Sequence, residues 1–196
     1  MFLRPARGFS LLELVVVLAV LAALAGLVVP LVAESRDSSQ EQATKVTLSR
    51  IRDVIMGSGE RPGYYADLNK TPQKMADLFV TPTYLPLDEQ SFNRKTGRGW
   101  RGPYIQNQSG TYKVNAAANF TLDYGSTDDP AVVDGWGNPV VIQKPEISGW
   151  TDEEELKYVR LVSAGPNQTI DTALDDANAS SRNDDLVIFL RRADVP

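Results

Sequence analysis

An uninterrupted apolar run near the N-terminus constrains this chain more than any other feature. From Leu14 to Ala33 the sequence contains twenty residues without a charged or strongly polar side chain. A helix rises about 1.5 Å per residue, so a run of this length covers the ~30 Å hydrocarbon core of a bilayer. The run therefore predicts a membrane-spanning helix, and it leaves enough chain for one modest globular domain.

The residues that precede the run set its expected orientation. Arg4 and Arg7 lie before it, and the first eight residues contain no acidic side chain. Positive charges favour the cytoplasmic side of a membrane, so the sequence predicts a single pass with a cytoplasmic N-terminus and an exported C-terminal domain. A cleaved secretory signal is the alternative, because several alanines in the run resemble a small-residue cleavage site. The length of the run and the carboxylate at its start argue against that alternative.

That carboxylate is Glu13, which lies directly before the run. A charge within the apolar part of a bilayer costs about 2.5 to 3.5 kcal/mol on insertion scales, unless it reaches the interface or finds a partner. Glu13 lies one helical turn from Phe9, so it could reach the interface. Alternatively, cleavage between Gly8 and Phe9 would create a cationic amine with which Glu13 of a neighbouring subunit could pair. The Glu13 carboxylate, which is unfavourable in the bilayer when the subunit is alone, would then favour assembly.

Composition excludes several classes of function. The chain has no histidine and no cysteine, which removes the Ser-His-Asp and Cys-His nucleophile systems, the usual zinc sites and any disulfide. The net charge of −5 and the pI near 4.8 argue against a surface that binds nucleic acid. The sequence also shows no phosphate-binding loop and no convincing catalytic pair of carboxylates. We therefore expect a protein that is not an enzyme and has no nucleic-acid partner.

Beyond the apolar run, the sequence predicts that the same helix continues and then ends. Residues 34–57 become amphipathic, with a stripe of side chains spaced at three and four residues. This stripe consists of Thr44, Leu48, Ile51 and Ile55. We expect it to pack on the chain's own sheet rather than on a partner. Gly57 and Gly59 predict the end of the helix, while Gly26 and Pro30 predict a kink or a locally melted turn within it.

The C-terminal part, residues 58–196, predicts a small antiparallel sheet. One short helix is expected between residues 72 and 79, and the candidate strands are short β-rich segments bounded by Gly, Pro, Asn and Asp. These segments are residues 112–114, 140–143, 158–162 and 186–190. A long helix followed by several short strands predicts an α+β domain in which the helix packs on an antiparallel meander.

The N-terminal segment RGFSLLELVVVLAVLAALAGLVVP resembles the class III signal of type IV prepilins and of the pseudopilins of type II secretion systems. The resemblance implies that residues 1–8 are a leader, and that prepilin peptidase cleaves after Gly8 and N-methylates Phe9. It further implies that Glu13 directs assembly and that residues 9–33 form the transmembrane and filament-core helix. Loss of the leader would lower the number of basic residues from 20 to 18, against 25 acidic residues.

Two phrases in the C-terminal part extend the resemblance to the major pseudopilin of type II secretion. GWRGPYI at residues 99–105 and DGWGNPVVI at residues 134–142 are similar to its turn-and-strand phrases, although the insert at residues 106–133 is longer than expected. The resemblance implies self-assembly into a helical filament, with minor pseudopilins and an inner-membrane assembly platform as further partners. It places the anchor in the bacterial inner membrane and the domain in the periplasm.

Two other functions remain open at this point. One is a type IV pilin or minor pilin of a surface filament used for adhesion, motility or DNA uptake. The other is a membrane-anchored exported binding domain or enzyme that never polymerises.

An acidic loop precedes the last candidate strand. It offers carboxylate, amide and hydroxyl oxygens, which are the ligands that Ca²⁺ prefers. Composition alone favours a solvated acidic loop, since the EF-hand pattern is absent. However, the loop is similar to the C-terminal loop of major pseudopilins, where Ca²⁺ orders the segment, and this resemblance implies calcium binding. The candidate ligands are Ser163, Asn167, Asp171, Asp175, Asp176, Asp184 and Asp185.

Overall fold

The computed structural model describes residues 11–59, 61–145, 154 and 156–191, and the side chains of residues 27 and 29–34 lie outside that description. The chain divides into two compact units, Met1–Ser39 and Gln40–Pro196. In chain order the elements are α1 (Leu11–Met56), α2 (Tyr64–Leu68), a 3₁₀ turn (Met75–Leu78), β1 (Gly110–Thr111), a second 3₁₀ turn (Ala116–Ala118), β2 (Pro130–Ala131), β3 (Val141–Gln143), β4 (Arg160–Ser163) and β5 (Leu186–Phe189).

The long helix ends where the sequence predicts. Gly57 has φ of +92°, in the left-handed region that favours glycine, and its backbone N–H donates to the Asp53 carbonyl at 2.8 Å. The helix is continuous across Gly26 and Pro30, so a melted turn is not observed. A kink at that point stays a prediction.

The apolar run was expected to span a membrane. Among the residues that the structure describes, no helix meets the length and hydropathy of a membrane span. The transmembrane segment predicted for residues 14–33 is therefore not confirmed.

The second half of α1 packs on the domain, as the stripe predicts. Leu48, Ile51 and Ile55 are at most 2% exposed and belong to one hydrophobic cluster with side chains of β3, β4 and the residues beside them. Thr44 is also buried, and its hydroxyl donates to the Gln40 carbonyl at 2.8 Å while accepting a hydrogen bond from the Gly135 N–H at 2.9 Å. The helix is thus joined to the sheet by packing and to the turn before β3 by a hydrogen bond.

The main sheet is an antiparallel meander in the order β3-β4-β5, with Val162 of β4 opposite Val141 and Val187. This confirms the α+β class, consistent with a pilin-like fold. Three of the four candidate strands lie within one or two residues of their observed positions. A second, two-stranded sheet pairs β1 with β2, placing Gly110 opposite Ala131.

The fourth candidate strand, residues 112–114, is wrong. The strand comes two residues earlier, and Tyr112 instead enters a loop cluster in which its hydroxyl donates to the Thr121 carbonyl at 2.6 Å. Its ring lies 6.1 Å from that of Phe120 in an edge-on arrangement. Its backbone N–H still donates to the Asp129 carbonyl at 2.8 Å, so the pairing ends at this residue while its ring is buried among aromatic side chains.

The DGWGNP phrase forms a turn between β2 and β3, and this turn contacts α1. One carboxylate oxygen of Asp134 accepts from the backbone N–H groups of Trp136 and Asn138 at 2.9 and 2.8 Å. Gly135 approaches the helix so closely that an added Cβ would lie 2.4 Å from the Gln40 carbonyl oxygen. This position therefore requires glycine.

Candidate functional site

Two of the N-terminal candidate residues, Gly8 and Phe9, lie outside the described residues. Glu13 lies in the first turn of α1, where its side chain is exposed. The structure does not test the proposed roles of these residues in cleavage, methylation or assembly.

The helix that carries Glu13 exposes large apolar side chains on all sides. Their exposed fractions run from 49% at Val28 to 82% at Leu11. These residues are Leu11, Leu12, Leu14, Val15, Val16, Val17, Leu18, Val20, Leu21, Leu24 and Val28. A continuous apolar surface of this kind marks a site that other apolar groups cover, in a lipid or in a protein partner.

The acidic loop brings three of its candidate calcium ligands together, because the Asn167 amide contacts the carboxylates of Asp171 and Asp184. The Asn167 side-chain nitrogen donates to an Asp184 carboxylate oxygen at 2.5 Å and to Asp171 at 2.8 Å. The backbone N–H of Asn167 donates to the other Asp184 oxygen at 2.9 Å. The Asn167 amide thus lies between two carboxylates, where a cation that joined them would bind.

A fourth candidate, Asp185, lies directly behind this group. Its side chain is 5% exposed, and one carboxylate oxygen accepts from the backbone N–H groups of Asp171 and Thr172 at 2.9 and 2.7 Å. The other oxygen is buried and has no hydrogen-bond partner within the described part of the chain. Burial raises the pKa of Asp185 to about 6, although the hydrogen bonds from Thr172 and Asp171 act to lower it.

The remaining three candidates have other contacts. The Ser163 hydroxyl donates to Asp134 at 2.7 Å, which ties β4 to the DGWGNP turn. Asp176 closes its own turn by accepting from the Ser180 N–H at 2.6 Å. Asp175 is exposed and lines an open cavity. No contact described for Ser163, Asp175 or Asp176 joins them to the Asn167 amide.

Sequence reasoning missed the residue that holds the middle of the loop. Arg160 of β4 is fully buried, and its guanidinium donates to the carbonyls of Ala173, Asp176 and Ala177 at 2.7, 2.5 and 3.2 Å. It also donates to the Gln143 side chain at 2.8 Å, and burial lowers its pKa. An arginine in a β-rich segment gives no signal of this role, because its acceptors are backbone carbonyls far along the chain.

The loop therefore suits calcium in the chemistry of its oxygens. Carboxylates of Asp171 and Asp184 lie beside one amide, and Asp185 contributes an oxygen without a partner. Within the described residues, however, no group of three or more acidic, histidine or cysteine side chains is arranged to hold a metal ion. Calcium binding consequently stays a prediction.

Comparison with known proteins bears on the N-terminus. A family model described as the prokaryotic N-terminal methylation motif matches residues 3–29. No curated protein and no solved structure matches the chain significantly. The match supports a type IV prepilin-like protein that prepilin peptidase processes, with a membrane-anchored N-terminus and assembly into filaments.

Proposed function

We propose that this chain is a structural subunit of a type II secretion pseudopilus, a short periplasmic filament that drives folded proteins out through an outer-membrane channel. The observation that carries the proposal is the exposed apolar surface of α1, which lies within the methylation motif matched at residues 3–29. The stripe from Leu48 to Ile55 is covered by the chain's own sheet, whereas the described apolar side chains from Leu11 to Val28 are exposed.

The proposed role is mechanical rather than catalytic. Prepilin peptidase cleaves after Gly8 and methylates Phe9, and the apolar run holds the subunit in the inner membrane as a single pass with the domain in the periplasm. The assembly platform then extracts the subunit, and the run exchanges lipid for the helices of neighbouring subunits. Because both surroundings are apolar, the same side chains suit both. Glu13 sets the register by pairing with the Phe9 amine of a neighbour.

The two turn-and-strand phrases support a pseudopilin. Trp100 of the first phrase donates its indole N–H to the Asp77 carbonyl at 3.3 Å. The second phrase forms the Asp134 turn that joins helix to sheet. The similarity of both phrases to those of major pseudopilins supports the proposal.

A type IV pilin or minor pilin of a surface filament is the second candidate. The insert at residues 106–133 favours it, because this segment contains the separate β1–β2 sheet and exposes Val114 at 40% and Leu122 at 66%. Exposed apolar side chains on an insert suit a surface that contacts the surroundings.

Deletion of the gene separates the two candidates. We expect folded exoproteins to accumulate in the periplasm of the deletion strain while surface filaments persist, measured by quantitative proteomics and filament counts on the same cells. Loss of surface filaments with normal secretion would instead establish the pilin role. Complementation with the unaltered gene controls for effects on neighbouring genes.

The assembly role of Glu13 has a matched control on the same helix. Glu13→Gln removes the charge while keeping the size of the side chain, so we expect most incorporation into filaments to be lost while the protein remains in the membrane. Glu41→Gln makes the same change at a half-buried glutamate that pairs with Lys45 at 2.6 Å, and it should leave incorporation unchanged. The measurement is the ratio of sheared filament to membrane-retained subunit. Equal incorporation of both variants would contradict the proposal.

We further propose that the acidic loop binds Ca²⁺ through Asn167, Asp171 and Asp184, with Asp185 as a further oxygen ligand. A bound cation would neutralise carboxylates that otherwise repel each other, and so would order the loop before β5. Binding to the folded state alone must also raise stability by mass action.

The Asn167→Asp variant tests this proposal, because its effect on melting temperature should depend on whether Ca²⁺ is present. In chelator, the new carboxylate would face Asp171 and Asp184, so we expect a lower melting temperature. In millimolar Ca²⁺, the additional charged oxygen should give a larger rise in melting temperature than in the unaltered protein. Asn107→Asp adds the same charge at an exposed position outside the loop and should show neither effect. Identical curves with and without Ca²⁺ for both the unaltered protein and Asn167→Asp would rule out the site.

A further inference from the structure

A short hairpin at residues 93–98 carries three basic residues within six positions. The Asn93 N–H donates to the Arg98 carbonyl at 2.7 Å, and the Gly97 N–H donates to the Asn93 carbonyl at 2.8 Å. The Asn93 side chain also accepts from the Lys95 N–H at 2.9 Å. We call residues 93–98 the basic hairpin, because its exposed side chains include those of Arg94, Lys95 and Arg98.

The base of the basic hairpin is fixed firmly to the domain. The Gly99 N–H donates to the carbonyl of the buried Asp67 at 2.9 Å, and a Cβ at Gly99 would lie 2.2 Å from the Ser91 carbonyl oxygen. Arg101 reaches back to the Asp67 carboxylate at 3.0 Å, and its guanidinium lies 3.9 Å from the centre of the Phe92 ring. The three cations therefore project from a defined position rather than from a loose loop.

These cations have no acidic partner in the described part of the chain. The ion pairs there join Lys45 to Glu41, Lys70 to Glu89 and Arg101 to Asp67. The sequence contains no acidic residue from position 90 to position 122, although the chain as a whole carries a net charge of −5. Three exposed cations that form no ion pair among the described residues, in a protein of net negative charge, point to an acidic partner.

The same chain carries a complementary surface in its acidic loop. Residues 164–185 contain five aspartates and one basic residue, Arg182, and Asp175 is exposed. No ion pair among the described residues joins this loop to the basic hairpin. Each copy thus displays two different surfaces of opposite charge that do not neutralise each other within the copy.

We propose that the basic hairpin of one copy docks on the acidic loop of a second copy in the filament. This inference rests on the proposed filament function. A filament repeats a head-to-tail contact in which two different surfaces of the subunit meet. Oppositely charged surfaces suit that contact, whereas acidic subunits without them would repel each other. Electrostatic complementarity of this kind also fixes the register between partners.

A second copy fits the basic hairpin better than an anionic lipid surface does. Segments that bind anionic membranes carry about four to eight closely spaced Lys and Arg residues, whereas the basic hairpin exposes three. In a filament the acidic loops of neighbours would also lie at high local concentration. The lipid alternative is therefore an outcome of the test rather than the proposal.

Cysteine cross-linking of the full-length protein tests the contact directly. The chain has no cysteine, so any disulfide must come from introduced residues. Lys95→Cys and Asp175→Cys are placed in two differently tagged copies that are expressed together, and filaments are oxidised before denaturing electrophoresis. We expect a cross-linked species that carries both tags. As the matched control, the exposed Lys113→Cys replaces Lys95→Cys and should give none.

Charge reversal provides a second readout that does not depend on disulfide geometry. Lys95→Glu together with Arg98→Glu should lower filament incorporation by on the order of tenfold. Combining this change with Asp175→Lys and Asp176→Lys should restore much of that loss. A variant that merely failed to fold would not recover when four charges are altered instead of two.

The outcomes distinguish failure of the inference from failure of the proposed function. If filaments form without a doubly tagged species and charge reversal has no effect, the docking contact is wrong while the filament function stands. If the unaltered chain never enters filaments, the proposed function itself fails. If the reversal variant instead loses binding to vesicles that contain phosphatidylglycerol while cross-linking stays absent, the basic hairpin binds lipid and the proposal is overturned.

Discussion

The two units of this chain differ in which side chains they expose and which they bury. The described part of the first unit exposes apolar groups, with Leu18 at 57% and Leu21 at 55%, whereas the second unit buries even charged groups, with Arg160 at 0% and Asp185 at 5%. In the second unit each buried charge has hydrogen-bond partners from the same chain. In the first unit, the described apolar side chains remain exposed.

This difference shows that a segment rich in apolar residues does not necessarily bury them against its own chain. In α1 the apolar residues after Gln40 recur at helical spacing, so one face packs on the sheet and the other stays in water. The apolar residues before Gly26 are contiguous, so no single face can bury them all. A helix of that kind needs surroundings that cover every side. Substitutions in the two units should therefore change different quantities.

The largest effect on stability is expected in the second unit. Leu48 is fully buried in the main cluster, so Leu48→Ala should lower the free energy of unfolding by about 2 to 5 kcal/mol. Val46, on the same helix, is 45% exposed, and Val46→Ala should change it by less than about 1 kcal/mol. All three tryptophans lie after residue 99, so tryptophan fluorescence during urea unfolding in mild detergent reports on the second unit. A similar loss in both variants would contradict the packing of this stripe.

A smaller, pH-dependent effect is expected at Asp185. Because its pKa in the folded protein is about 6, above the ordinary value near 4, the ionised group opposes folding above about pH 6. That penalty disappears as the pH falls towards 4. The stability difference between Asp185→Asn and the unaltered protein should therefore change by about 1 to 3 kcal/mol between pH 7 and pH 4, favouring the variant at pH 7.

This measurement requires chelator throughout, so that metal binding does not contribute. Asp88→Asn, an exposed carboxylate on the same unit, serves as the control for loss of one charge. A stability difference for Asp185→Asn that did not change with pH would show that burial of this carboxylate does not limit stability.

The smallest effect on stability is expected in the first unit. Leu18→Ala shortens an exposed apolar side chain, so the second unit should unfold within about 0.5 kcal/mol of the unaltered protein. The same variant should reduce incorporation into filaments, because the apolar contact with neighbouring subunits becomes smaller. If Leu18→Ala destabilised the second unit as strongly as Leu48→Ala, the two units would not be independent.

Local signals predicted most of the secondary structure. Helical spacing placed the buried stripe, Gly57 ended α1, and β-rich segments between turn residues located β3, β4 and β5. Prediction failed at residues 112–114, because a β-forming aromatic residue can also bury its ring in a loop. The short helix α2 was missed, since five residues are too few for a periodic pattern.

In the acidic loop, the sequence identified candidate ligands but did not predict which of them contact each other. Its composition identified seven oxygen-bearing candidates, but only three-dimensional contacts separate Asn167, Asp171 and Asp184, which meet, from Ser163, which binds Asp134. Nothing in the sequence pointed to Arg160, whose acceptors are carbonyls of residues 173–177.

The sequence by itself determined the properties that follow from order along the chain. These are the methylation motif, the contiguous apolar run, the register of the amphipathic stripe and the acidic balance of charge. Only the tertiary structure decided which charges are buried, which side chains of the acidic loop meet, and that the basic hairpin forms no ion pair with the other described residues. The physical reason is that these properties depend on contacts between residues distant in sequence, which neither spacing nor composition encodes.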